Sequence, residues 1–291
     1  MTWIAFTILA AFMQAWRNAF QAELGKSVAV LGVTLARFLW ASPIAALYLV
    51  VLYQFQPAPL PTPSWELAKF VCGAAMMQII ATALMVKLFK LNNYAVGAGL
   101  AKSEAIAAAI LGVCFFGTRL SALGWLGVLV GGVAVFLLSS KGKLQGLSIT
   151  TVVLGILCGT SFAITSLWVR EASLTLLLPH THRAAWVLLS VLCLQTIVLS
   201  GYLIAVDLPT FQGLFRHWKL ALAVSVSSCI GSTGWFSAMA LQNVPYVKTL
   251  GQIEVFFMLA IGTWWLKQKP ARKDGLGLIL IAIAAILVLC A

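Results

Sequence analysis

The sequence predicts an all-α integral membrane protein, with ten transmembrane helices arranged as two inverted five-helix repeats. Composition is the first reason: 62% of the 291 residues are hydrophobic and 9% are charged, against about a quarter charged in a soluble domain. The length of the apolar runs is the second. A helix needs about 20 mainly apolar residues to cross the hydrocarbon, and the runs have that length, not the alternation of a membrane barrel. The third is an internal repeat that relates the two halves of the chain.

Taken in order, the first span is expected over residues 2–22 and carries Gln14, Trp16, Arg17 and Asn18. No basic stretch precedes its apolar run and Arg17 interrupts it, so it reads as a retained span and not a signal peptide. A charge at a helix centre costs about 2.5–3.5 kcal/mol on insertion scales, so Arg17 needs a bundle partner or an interfacial place. The second span, 29–53, carries Arg37 and Trp40. The four prolines between Gln56 and Pro63 follow it as a stiff extended loop. The third span, 65–89, contains Gln78; the fourth, 93–116, opens with Gly97 and Gly99, which loosen its first turns before Lys102 and Glu104. The fifth, 122–138, has Gly127 and Gly131 at the small-xxx-small spacing of close helix packing. After a polar connection from Ser139 to Gln145 the pattern restarts, with spans six to ten expected over 147–169, 183–206, 220–241, 245–266 and 275–290.

The two repeats therefore occupy residues 1–140 and 147–291. At a constant offset and without a gap, Asn93 falls on Asn243, Glu104 on Glu254, Gly112 on Gly262 and Gly127 on Gly277. Leu91, Leu100 and Leu126 likewise fall on Leu241, Leu250 and Leu276, a weaker match in so apolar a chain. Arg37 and Trp40 are echoed by Arg183 and Trp186. Each half has an odd number of spans, so the second enters the membrane the opposite way round. That is the arrangement in which one central site is presented to either side by rocking.

Ionisable groups at mid-membrane are expensive and functional by default, which makes Lys102, Glu104, Lys248 and Glu254 the leading binding candidates. Lys102 and Glu104 lie about 200° apart on a regular helix. One then faces the cavity and the other a neighbouring helix, unless the chain is unwound there. Lys248 and Gln252, four apart, share a face that Glu254 does not. The expected arrangement has Lys248 lining a central cavity with Gln252 or Glu254, and the remaining group paired across helices. A fixed ion pair that only holds the bundle together is the alternative. Glu254 is also the candidate for proton or ion coupling. Trp16, Trp40, Trp186 and Trp235 offer flat walls for a planar or cationic solute, or else serve as packing and interfacial residues. Gln14, Arg17 and Arg37 complete the candidate substrate-binding set.

A net charge of +12 would point to nucleic acid in a soluble protein, but these cations sit mostly in short loops, where they set orientation. The expected partners are a small-molecule solute and membrane lipid, with no nucleic acid, and the chain a monomer or homodimer. The six cysteines are scattered through apolar segments without C-x-x-C spacing, and His180 and His182 have no third ligand in view, so no metal or disulfide framework is expected. No H-E-x-x-H, G-x-S-x-G or P-loop pattern is present, and neither enzyme activity nor a cofactor is expected. Gradients of ions or solute are left to drive any transport.

At these residues the chain resembles the EamA-like transporters of the drug/metabolite transporter superfamily. The resemblance covers essentially the whole chain: ten spans, two five-helix repeats, Arg37 and Arg183 in the second span of each half, and the Lys-Ser-Glu and Gly-Gln-Ile-Glu sequences that end at Glu104 and Glu254. It departs from the family at Thr118 and Gln268, where a glutamate usually stands after spans four and nine. The resemblance implies a secondary transporter of the bacterial inner membrane that exports small metabolites such as amino acids by alternating access. Broad-specificity drug efflux and a non-transporting membrane partner subunit are the alternatives. Orientation has two answers. Loop cations such as Lys26, Lys87, Lys90, Arg216 and Lys219 gather on one side and put both termini outside the cytoplasm, whereas the resemblance implies both inside.

Overall fold

Backbone groups without water to bond must bond each other, and among the described residues helices are the only regular element. The computed structural model describes residues 1–91, 100–139, 148–265 and 274–291. The expectations placed on Asn93, Gly97, Gly99, Gln268 and most of the Ser139-to-Gln145 connection lie outside them.

Helix α1 (Thr2–Leu24) is followed by α2 (Val30–Ala36) and α3 (Ala41–Phe55). The second span is therefore interrupted by a turn at residues 37–40, where one unbroken helix was expected. The proline-rich stretch that follows is without helix, as its fixed φ angles dictate. Next come α4 (Trp65–Leu91), α5 (Glu104–Phe115) and α6 (Ala122–Ser139). Then α7 (Ile149–Leu174) starts at Ser148, whose hydroxyl accepts from the Thr151 amide at 3.2 Å. After α8 (His180–Val206), Asp207 accepts from the Thr210 amide at 3.2 Å and caps a short helix the sequence reading did not anticipate, α9 (Leu208–Arg216). Helix α10 (Trp218–Leu241) leads into α11 (Val244–Leu250), a 3₁₀ turn (Gly251–Ile253), α12 (Glu254–Trp264) and α13 (Asp274–Leu289).

Among the described residues six helices are long and apolar enough to cross a membrane: Val30–Phe55 taken across its turn, α4, α7, α8, α10 and Val244–Trp264. Helices α5, α6 and α13 are apolar but shorter. Large apolar side chains such as Leu47, Leu129, Ile156, Ile197 and Ile279 point outward and stay exposed. An apolar exterior around charged buried groups inverts the soluble pattern and is that of a membrane protein.

The most extensive helix contacts are α1 with α10, α4 with α7, and α6 with α13. Each pair is antiparallel. A Cβ on Gly234 of α10 would meet the Phe6 carbonyl of α1 at 2.7 Å, and one on Gly231 would meet the Met13 Cβ at 3.4 Å. Gly73 of α4 lies against Trp168 of α7, and Cys158 Sγ of α7 donates to the Ala81 carbonyl of α4 at 3.3 Å. Gly127 of α6 seats Val288 of α13, and Gly277 of α13 seats Leu138 of α6. Two cations bind main-chain carbonyls between these groups. Lys90, near the end of α4, donates to Val28 O at 2.8 Å, and Arg170 of α7 donates to Met239 O at 2.6 Å and Gln242 O at 2.7 Å.

Candidate functional site

The α1–α10 pair faces the α4–α7 pair across a central cavity, closed on a third side by the Ala101–Glu104 turn and α11. Two walls come from one helical stripe each: Phe162, Thr165, Ser166 and Val169 of α7, and Ser232, Trp235, Phe236 and Met239 of α10. Both stripes follow the i, i+3, i+4, i+7 spacing of a single helix face. Gln14, Asn18, Arg37, Gln78, Lys102, Glu104 and Lys248 supply the polar lining. The cavity volume is about 30 Å³.

Glu254 is fully buried and is the most heavily bonded group of the site. Its carboxylate accepts from Gln14 Nε2 at 2.5 Å, from Asn18 Nδ2 at 2.9 Å, and from Lys102 Nζ. Gln14 and Asn18 lie four apart on α1, one turn of one face, so a single helix presents both amides. Gln14 is itself held, because its Oε1 accepts from Trp235 Nε1 at 2.8 Å. Asn18 Oδ1 accepts from Arg17 Nε at 3.2 Å and Nη2 at 2.9 Å. A second ion pair joins Lys248 to Glu104 at 3.6 Å, beyond hydrogen-bond length. The Lys248 ammonium also lies 4.4 Å from the Trp235 ring centroid, a cation–π distance. Arg37 donates to Thr82 Oγ1 at 2.6 Å.

Two side-chain directions differ from the regular-helix expectation, each for a local reason. Lys102 and Glu104 both line the cavity, because residues 102 and 103 form a turn and the helix begins at Glu104. Gln252 does not share the Lys248 face. The 3₁₀ turn at Gly251–Ile253 shifts the register, and Gln252 is buried against Gly131 of α6, its amide atoms without hydrogen-bond partners.

Of the sequence-derived candidates, Gln14, Arg37, Lys102, Glu104 and Lys248 line the cavity, while Arg17 and Glu254 bond lining residues. Trp16 packs on Phe20 and Trp265, and Trp40 on Phe215. Trp186 donates to Tyr53 Oη at 2.9 Å and lines a separate groove with Leu49, Val50, Tyr53, Gln54 and Leu60. Nothing in the sequence singles out Phe162, Thr165, Ser166, Ser232 or Phe236, and Asn18 and Gln78 stand out there only as polar residues in apolar spans. The four-residue spacing of Gln14 and Asn18 was the signal available for Asn18.

No protein-family model matches the chain, and no curated protein matches it. The structure is similar to a solved one described as "Crystal structure of protein", with a TM-score of 0.74 over 99% of this chain and 95% of that one, at 15% identity. That likeness shows a shared fold and nothing about activity.

Proposed function

We propose that the chain is a secondary active transporter, similar to the EamA-like group, that exports a small metabolite such as an amino acid across the bacterial inner membrane by alternating access. The observation that carries this reading is the reciprocal pairing of buried charge between the halves. Lys102 of the first half pairs with Glu254 of the second, and Lys248 of the second with Glu104 of the first. A subunit needing only stability gains little from such pairs, since apolar residues of similar volume often serve as well or better.

Ten spans in two inverted repeats are supported by positions that match between the halves. Helices α5 and α12 begin at the matching residues Glu104 and Glu254, each directly after a break in regular helix. Gly127 and Gly277 match, as do Leu138 and Val288, and each glycine seats the other half's large residue. A contact from i to j accompanied by one from j to i is what a two-fold relation produces. A cavity of about 30 Å³ has room for about two waters, so it belongs to a contracted state that widens to admit a solute.

Metabolite profiling of the medium from cells overproducing the protein tests the reading, with Glu254→Gln and Lys248→Ala strains beside it. One solute class accumulating outside, lost in both variants at equal membrane abundance, is the expected result. An unchanged medium despite folded protein in the membrane removes metabolite export.

A further inference from the structure

We propose that the cavity takes an organic anion, its carboxylate seated against Arg37 and its apolar body against Phe162, Trp235 and Phe236. This rests on the transport reading for the solute's movement but not for its binding. Arg37, Lys102 and Lys248 are all buried and line the cavity, and among the described residues the buried carboxylates are Glu104 and Glu254, each paired with one of the two lysines. The cluster therefore carries more positive than negative charge. The chain has seven acidic residues; of the other five, Glu23, Glu66, Glu171 and Asp207 lie at or near helix ends away from the lining, and Asp274 is the first residue of α13. Among the described residues no further carboxylate lines the cavity to balance these cations, and unbalanced charge in a low-dielectric interior is costly.

Arg37 is where the missing charge fits. It is 3% exposed and lines the cavity; Thr82 takes one of its donors, and its buried Nε has no partner. The turn at residues 37–40 places it between helices α2 and α3, with its guanidinium carbon 5.7 Å from the Phe162 ring centroid. A carboxylate supplies both the acceptor this fork lacks and the negative charge the cluster lacks. A neutral solute supplies at most the acceptor, and a cation neither. The sign is thus opposite to the cationic solute that the tryptophans alone allow. Thr165, Ser166 and Ser232 add hydroxyls for further polar groups on the same solute.

Butyrate, butyramide and butylamine share a carbon skeleton and differ in charge, and inorganic phosphate is an anion without that skeleton. Each is titrated into the purified full-length protein in nanodiscs at constant ionic strength, with thermal stability and heat of binding as readouts. Butyrate alone is expected to bind and to raise the melting temperature, with affinity falling at least tenfold in Arg37→Gln. Arg37→Lys, which keeps the charge but loses the fork, is expected to fall between. Binding of butylamine, equal binding of butyrate and butyramide, or phosphate binding in preference to butyrate overturns the assignment on the wild-type protein alone, whether or not the variants fold. Flux in proteoliposomes separates the two readings. Butyrate bound but never moved sinks transport and leaves the anion site standing, while transport of another solute without butyrate binding sinks this inference alone.

Discussion

Glu254 receives donors from both sides of the cavity, Gln14 and Asn18 on α1 and Lys102 ahead of α5. Glu254→Gln leaves the Lys102 ammonium buried without its counter-charge, and removing one partner of a buried pair costs about 3–5 kcal/mol. Combining it with Lys102→Met removes both charges and is expected to recover most of the thermal stability lost by either single variant. Transport is expected to stay absent in all three. A double variant that transports like the parent would show the pair to be a strut. At this scale the sequence was most legible where chemistry clashed with solvent, since a lysine or glutamate in an apolar run has few bland explanations. The hydroxyl and aromatic lining was not legible. Its i, i+3, i+4, i+7 stripes on α7 and α10 are the period of a helix face, but helices that meet lipid outside are apolar all round, and the period loses its contrast.

Helix α10 approaches α1 closely because its facing residues lack side chains. A Cβ on Gly234 would meet the Phe6 carbonyl at 2.7 Å and the Ala10 amide nitrogen at 3.2 Å. Main-chain atoms cannot swing aside, so Gly234→Ala is expected to cost about 1–3 kcal/mol, as overpacking does. Gly201→Ala on α8, where a new methyl meets nothing within 4 Å, is the matched control and is expected to leave melting no lower, since alanine is the better helix former. The long helices were readable from run length, and the short α9 was not. The breaks at residues 37–40 and Gly251–Ile253 were not, because an apolar run through a turn looks like an apolar run through a helix. Within a membrane such breaks persist only when buried in protein or lining a cavity; Arg37 lines the cavity and Gly251 is buried against the Trp235 ring. That condition depends on a partner far away in the chain.

At the scale of the molecule, α1–α10 and α4–α7 are each extensively packed while α1 meets α4, and α7 meets α10, sparsely. In the proposed transport cycle, widening the cavity would separate the pairs and leave each intact. A disulfide within a pair tests this. The site at Gly231 brings its Cβ to 3.4 Å from that of Met13, close to the usual disulfide spacing of about 3.8 Å. Met13→Cys with Gly231→Cys, in a background lacking the exposed Cys72, Cys114 and Cys290, is expected to oxidise readily and keep full transport. Loss of transport on oxidation, regained on reduction, would show that α1 and α10 move apart. The proposed two-half organisation rests on glutamates and glycines that match in the sequence, whereas the packing of α1 on α10 and of α4 on α7 was not legible there, since pairing partners carry no shared motif. Lys90 and Arg170 join the two pairs at opposite ends of the cavity, and both do so through main-chain carbonyls. A carbonyl has no proton to gain or lose at physiological pH. On the proposed alternating-access reading, opening either end breaks one tie and hands its cation and its carbonyls to incoming water. In the proposed transport cycle, hydration of these ties, not protonation, would then set the energy of opening at each end.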